Sequence, residues 1–525
     1  MKLRHWFWGF DFEKFPRNGR VWYPSGQGPF PLVLCVHGNH NMADYSDPGY
    51  AYLGEHLASR GFIFVSVDEN FFNGHFFGSL KSENDGRGWM LLQHLKLWRE
   101  WNQNDENMFH SLVDMEKIGL IGHSRGGEAA AIAGSFNKLS FYPDDATVEF
   151  DFDFNISAII AIAPSDGQYK PAGQPTPLEN VNYLTVQGAH DADVSSFSGA
   201  RQYNRVEFTD ENYWFKAYLY SYRSNHGQFN TVWGDNDWGM PGGLILNRKA
   251  LLEGEKQRKI ALVYFTAFME ANLMDKKGYI PMFRDYRCVW EWLPEDIYIN
   301  RFEDSHFKPI AHFEEDVEVN TASLKGSRIS SQDLEVWREE NLGFRRRGNK
   351  DNNVVFVGWR NQEKEPVYFI ELTKDNLTEL NVKEDSLLIF SLAPADEEPP
   401  EPEEEKEKEN KAKEKSEKKE KHLDISIELE DHQGHKAKVL LSEFRLIPPV
   451  LESRFTKMNK ENNIYGDAYE PTLQVFELPL SRFSDKFPGF NPVLLKKINF
   501  VFDQSNEGVV ILDRIGIGTR SLDIP

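Results

Sequence analysis

The chain holds only two cysteines, Cys35 and Cys288, in 525 residues. That scarcity excludes a disulfide framework and any cysteine-rich zinc module. Cys35 lies inside an apolar run and reads as a reduced core thiol. Basic charge is also short, with 60 Lys+Arg against 82 Asp+Glu and a formal net charge of −22. Nucleic acid and anionic membranes both require a basic face, so neither is expected as a partner. No run of about 18 apolar residues occurs, and no transmembrane segment is expected. The start, Met1 to Phe10, is basic and then aromatic, but Asp11 and Glu13 end it before a signal-peptide core can form. The chain as written is expected to be cytoplasmic, or secreted if a leader was trimmed from it. Aromatic side chains are plentiful, at 14% of residues with 13 Trp and 39 Phe. So much apolar mass excludes a disordered chain and provides for a large core. The length suits two to four domains.

Two textures divide the sequence. Up to about residue 275, short apolar runs alternate with amphipathic stretches, the pattern of an α/β domain with a mostly parallel sheet. Runs at 32–36, 62–67, 117–122, 156–163, 183–187 and 215–221 are continuously apolar, which predicts strands covered on both faces. Helices are predicted over 50–59, 89–101, 126–133, 198–206 and 255–273. Beyond about residue 301 helical periodicity fades, and strand-like runs recur at 354–359, 367–372, 387–392, 425–429, 473–478, 498–502 and 509–517. Turn residues separate them, as in an antiparallel sandwich. The expected division is therefore an α/β domain over 1–300 and an all-β sandwich over 301–525. A charged low-complexity insertion at 395–422 interrupts the second domain; it carries twelve acidic residues and eight lysines between 396 and 421. It reads as a solvated loop or a charged single helix.

The strongest chemical signal is Gly122-His123-Ser124-Arg125-Gly126-Gly127, set between an apolar strand and the Ala-rich start of a helix. This is G-x-S-x-G in the strand–turn–helix context of a nucleophile elbow. So sharp a turn leaves no room for side chains at Gly122 and Gly126. The following helix points its N-terminal amides at the site of a developing oxyanion. An activated serine needs a base, and the base an orienting acid, in the order Ser…Asp/Glu…His. Gly188-Ala189-His190-Asp191-Ala192-Asp193 follows the fifth run and supplies two carboxylates. Asp191, three residues after the glycine that ends its strand, is the expected acid, with Asp193 as a loop-stabilising neighbour. His226 in Ser224-Asn225-His226-Gly227 follows the sixth run and is the expected base. His123 and His190 are expected to pack or hydrogen-bond near the site. The oxyanion hole is expected from the backbone N–H groups of Arg125 and of Asn39 in His37-Gly38-Asn39-His40. A metal site at His37, His40, Asp44 and Asp47 is the weaker alternative, since their spacing matches no compact ligand set. Asp68-Glu69-Asn70 is expected to brace its loop. Phe71 to Phe77 suits either a pocket lining or core.

These motifs resemble the α/β-hydrolase superfamily, and within it the lineage of chlorophyllases, cutinase-like polyester hydrolases, dienelactone hydrolases and platelet-activating-factor acetylhydrolases. The resemblance rests on Pro31 to Gly38, on Leu57-Ala58-Ser59-Arg60-Gly61-Phe62, on the elbow with Arg125 after Ser124, on Gly188 and Asp191, and on Asn225-His226-Gly227. It spans residues 20–275. It implies a serine esterase with Ser124 as nucleophile, His226 as base and Asp191 as acid, acting on an ester substrate with no metal or organic cofactor. Two departures bear on the substrate: the oxyanion loop reads His-Gly-Asn-His, and no long insertion before the acid resembles a large lid. The runs at 475–478, 498–502 and 511–517 look like the closing strands of jelly-roll, galactose-binding-like modules, which implies a glycan as a further partner. The readings set beside the esterase are an inert hydrolase-like scaffold with a carbohydrate-binding sandwich, and an acyltransferase or peptidase with the same triad.

Overall fold

The computed structural model describes residues 2–10, 14–74, 83–360, 364–400, 422–458 and 467–520. The chain divides into two compact units, Met1–Tyr298 with Ser453–Tyr465, and Ile299–Glu452 with Gly466–Pro525.

The first unit is built on strands β1 (Gly19–Trp22), β2 (Phe30–Val36), β3 (Ile63–Val67), β4 (Val113–His123), β5 (Ile156–Ile162), β6 (Asn182–Gly188) and β7 (Phe215–Ser221). They lie in the order β1-β3-β2-β4-β5-β6-β7. β1 runs antiparallel to β3, and β2 through β7 are mutually parallel. Every residue of β3, β6 and β7 is buried, so both faces of the sheet are covered. That explains why their runs are apolar without alternation. The covering helices are α1 (Ala51–Ser59), α2 (Asn84–Gln103), α3 (Arg125–Phe136), α4 (Gly199–Arg205) and α5 (Gly254–Leu273). α2 packs against α3, and α3 and α5 each pack against β4 and β5. From β2 the chain steps to β3 on one side and then to β4 on the other. The strand order therefore reverses beside β2, and at such a switch point a crevice opens at the carboxyl ends of parallel strands. The loops after β2 and β4 meet there.

Cys35 is wholly buried in β2, where burial pushes its thiol up, and no disulfide joins it to the exposed Cys288. Phe71 and Phe72 form a core cluster with Met90, against which Trp8, Phe10 and Phe15 pack. Residues 75–82, including Phe76 and Phe77, lie outside the described residues.

A short piece of late sequence completes this unit. Thr456 pairs with Leu246, the Asn247 N–H donates to the Phe455 carbonyl at 2.7 Å, and the Lys457 N–H donates to that of Ile245 at 2.9 Å. Phe455 is buried with Ala192 and Leu246, and Trp238 packs on the three.

The second unit holds two antiparallel sheets. One runs Val336–Gly343, Asn349–Arg360, Glu507–Gly518, Leu387–Pro394, Gln474–Pro479, with Lys308–Ala311 also paired to Glu507–Gly518. The other runs Arg328–Gln332, Val367–Glu371, Leu495–Val501, Ser426–Asp431, Lys436–Leu440. Val357, Trp359 and Phe390 of the first share one core with Tyr368, Ile370 and Phe500 of the second. The unit is thus β-rich, its two sheets packed on a shared core. Its strand order is not specifically that of a jelly-roll. Of the charged insertion, residues 401–421 lie outside the described residues. Among the described residues no helix is long and apolar enough to cross a membrane.

Candidate active site

Ser124 sits between β4 and α3 with φ 60° and ψ −126°, a left-handed conformation costly for a side-chain-bearing residue. The surroundings hold it there. A Cβ at Gly122 would overlap the Gly126 carbonyl, and one at Gly126 would lie 2.6 Å from the Val36 carbonyl oxygen. The Ser124 N–H donates to the Ile162 carbonyl at 2.8 Å, and the Gly127 N–H to the Ser124 carbonyl at 2.9 Å. The β2 loop presses on this turn from the other side. A Cβ at Gly38 would stand 2.5 Å from Ser124 Cβ and 2.9 Å from Arg125 N. The backbone at Gly38 therefore passes close to Ser124 and to the Arg125 N–H.

Charged and polar side chains brace both sides of this approach. The Arg125 guanidinium donates to Glu83 Oε1 at 2.6 Å. Glu83 also lies 3.6 Å from Arg87, which is wholly buried and 3.4 Å from Glu69. Arg87 donates to Asn73 Oδ1 at 3.0 Å and to the His37 carbonyl at 3.4 Å. Burial pushes the Glu69 carboxyl up to about 8, against the pull of Arg87. His37 is neutral: its Nδ1 donates to the Gly38 carbonyl at 2.8 Å, and its Nε2 accepts the Glu69 N–H at 3.1 Å. Burial and Arg87 hold it down at about 3. The Asn39 side chain accepts the Gly74 N–H at 2.8 Å. Asp68 receives the Asn70 N–H at 3.0 Å and its amide at 2.6 Å. The metal alternative is overturned by these partners: both His37 nitrogens are engaged, and Asp47 pairs with Arg20 at 2.8 Å.

Asp191 and His226 are brought together. Asp191 Oδ2 lies 2.8 Å from His226 Nδ1, with both side chains buried. Asp191 also accepts from Gln187 Nε2 at 2.9 Å, the Asp193 N–H at 3.0 Å and the Val194 N–H at 2.7 Å. Four donors on one carboxylate fix it in place. His226 Nε2 is buried and has no hydrogen-bond partner among the described residues. The His226 carbonyl accepts from His123 Nε2 at 3.1 Å, and the two rings are 5.0 Å apart. Ser124 is the next residue after His123, so the elbow and the His226 loop are neighbours. Tyr50 donates to His123 Nδ1 at 2.9 Å, and burial holds His123 well below its usual value. It is a neutral brace. His190 similarly bonds the Tyr222 carbonyl through Nδ1 at 2.6 Å.

Two residues of this site escape a reading of the sequence. Asp237 accepts the N–H groups of Ala192 (3.0 Å), His226 (3.2 Å) and Gly227 (3.0 Å) and the Asn225 amide at 2.6 Å. It ties the Asp191 loop to the His226 loop; burial and the nearby Asp191 raise it to about 6. Trp233 lies nearly parallel to the His226 ring at 5.9 Å and to the His40 ring at 5.4 Å, and donates to Ser46 Oγ at 3.0 Å. The only sequence signal for either is the dense Trp233-Gly234-Asp235-Asn236-Asp237-Trp238 string following His226.

Burial alone lowers the His226 imidazole, but Asp191, Asp193 and Asp237 more than reverse this, leaving it above its ordinary value. Burial raises Asp191, with His226 pulling the other way. A serine on an elbow and a carboxylate-held imidazole on the neighbouring loop are groups of the kind that acyl transfer uses.

The mostly parallel sheet with its covering helices, and the elbow after β4, fit an α/β-hydrolase domain. Residues 11–182 match the family model described as Chlorophyllase, a family of the α/β-hydrolase superfamily that suggests hydrolysis of esters. The match takes in Ser124 and ends before Asp191 and His226. No curated protein matches the chain.

Proposed function

We propose that this protein is a serine esterase that cleaves carboxylic esters through an acyl-enzyme on Ser124. Ser124 Oγ attacks the ester carbonyl carbon as its proton passes to His226 Nε2. The carbonyl π electrons move onto oxygen, and the backbone N–H groups of Arg125 and Asn39 receive the oxyanion. Collapse expels the alcohol, which takes the proton back from Nε2. Water then repeats the sequence on the acyl-enzyme, releasing the acid and restoring Ser124. Asp191 holds the ring tautomer with Nδ1–H inward, so that Nε2 is the accepting nitrogen.

The observation that carries this reading is the 2.8 Å bond between Asp191 and His226 Nδ1, which leaves a buried Nε2 without a hydrogen-bond partner among the described residues. An inert scaffold has no physical need for a strained serine, a buried acid and an unsatisfied imidazole nitrogen in one place.

The test is hydrolysis of short- and medium-chain p-nitrophenyl esters by the wild type and Ser124→Ala, with fluorophosphonate labelling of both. Activity and labelling are expected in the wild type and absent from the variant. A wild type that neither turns over nor labels would overturn the esterase and leave the binding-protein reading. Activity surviving in Ser124→Ala would place the nucleophile elsewhere.

A further inference from the structure

The acid loop addresses both nitrogens of the His226 ring. Asp191 takes Nδ1, while Asp193 Oδ2 stands 3.4 Å from Nε2, the atom that must receive the Ser124 proton. This placement is built in. The Asp193 N–H donates to Asp191 Oδ1 at 3.0 Å, so the turn that seats one carboxylate delivers the other to the far side of the ring. The two differ in surroundings: the Asp191 side chain is fully buried, and that of Asp193 is 52% exposed. At 3.4 Å Asp193 makes an ion pair with a protonated ring and no hydrogen bond, so it can swing away when a substrate arrives.

We propose that Asp193 is a positioning residue that pairs with the resting His226 imidazolium through Nε2 and, once that proton has passed to solvent, yields the neutral nitrogen to Ser124 when substrate enters. The proposal rests on the esterase reading in assigning Nε2 its task. A protonated ring cannot accept the serine proton, so a carboxylate on Nε2 moves the onset of activity to higher pH. The same carboxylate favours the imidazolium that forms as the serine proton is transferred, and thus assists the step once the ring has begun neutral.

Of the other groups facing His226, Asp237 also favours the charged ring, but from a distance and without meeting Nε2. On its own loop, Asp237 accepts the His226 backbone N–H at 3.2 Å and reaches neither ring nitrogen. From the elbow, His123 is neutral and spends its Nε2–H on the His226 carbonyl. From the β2 loop, His40 is lowered by burial, although Asp44 and Asp193 pull it upward, and a charge there would oppose one on His226. Trp233, parallel to the ring, brings no formal charge. Asp191 and Asp193 are therefore the carboxylates that meet the ring itself.

The test is kcat/KM for p-nitrophenyl acetate from pH 5 to 10, read after a quench at pH 8, in wild type, Asp193→Asn and Asp193→Glu. Loss of the charge is expected to move the acid limb down by about one pH unit, so that the Asn variant outruns the wild type roughly tenfold at the acid end. Asp193→Glu keeps the charge and is expected to keep the limb near its wild-type position. A limb that stays put or moves up in Asp193→Asn overturns the proposal. A second readout does not depend on turnover: the NMR titration of the His226 ring, assigned through His226→Gln, in Ser124→Ala with and without Asp193→Asn. A titration midpoint that falls with the Asp193 charge supports the proposal, and one that is unchanged overturns it. A wild type with no esterase activity or fluorophosphonate labelling would refute the proposed function alone, and the NMR titration would still decide the role of Asp193.

Discussion

Gly38 shows how much of this site depends on what a residue lacks. Its Cα faces Ser124 and Arg125 so closely that a methyl group would meet Ser124 Cβ at 2.5 Å and Arg125 N at 2.9 Å. Both are rigid, one on a strained turn and the other at the start of α3, so neither can give way cheaply. Gly38→Ala should push the β2 loop off the elbow and spoil the alignment of the two proposed oxyanion donors, Asn39 and Arg125. Losing one such donor commonly costs 10²- to 10³-fold in kcat. We expect Gly38→Ala to lower kcat for p-nitrophenyl esters by at least about 100-fold, with KM little changed. Steady-state kinetics on the purified variant, with circular dichroism to confirm folding, would check this. An Ala variant with wild-type kcat would remove the β2 loop from the site.

At the scale of elements, the loop following β7 does more than deliver His226. It turns back so that Asp237 can accept from Asn225, His226 and Gly227 on its own strand end and from Ala192 on the acid loop. Asp237→Ala would leave these N–H groups without their acceptor and loosen Asp191 from His226. We expect kcat to fall more than tenfold and thermal stability to drop, the cost of a lost buried acceptor being about 1–3 kcal/mol. Kinetics and a thermal melt of the same sample give both numbers. Which elements the sequence reveals follows from the same physics. β2, β3, β5, β6, β7 and the second half of β4 are largely apolar because helices cover both faces, and they can be read directly; the first half of β4, with Asp114, Glu116 and Lys117, is partly exposed and cannot. β1 is four residues long, half exposed and at the sheet edge, so it has no comparable pattern. Arg328–Gln332 and Val336–Gly343 of the second unit are mostly polar and at sheet edges, and they too are silent. Ser124 is legible because the elbow constrains its neighbours along the chain. Asp237 and Trp233 act across loops, where spacing in sequence carries no signal.

At the scale of the whole molecule, the first unit is discontinuous. Phe455 buries its ring with Ala192 and Leu246, beside the loop that carries Asp191. Truncating a buried phenylalanine typically costs 3–5 kcal/mol. Phe455→Ala in the full chain should therefore destabilise the first unit by about 3 kcal/mol, and should lower ester hydrolysis because the acid loop loses its support. Urea unfolding followed by the aromatic signal of the first unit, together with an activity assay, would test both. Unchanged stability would mean that this contact is superficial. Nothing in the apolar pattern around residue 455 marks it as part of this unit, because a short irregular segment with a single bridge carries too little periodicity to assign.

The late arrival of Phe455 also sets an order of events on the ribosome. Leu246, its partner, emerges more than 200 residues earlier, and at about 5–20 residues per second synthesis needs roughly 10–40 s to reach the missing piece. Throughout that interval the nascent first unit presents Ala192, Trp238 and Leu246 without the ring that covers them, which is an opening for chaperones. The polypeptide can finish its first unit only after most of its second has been translated.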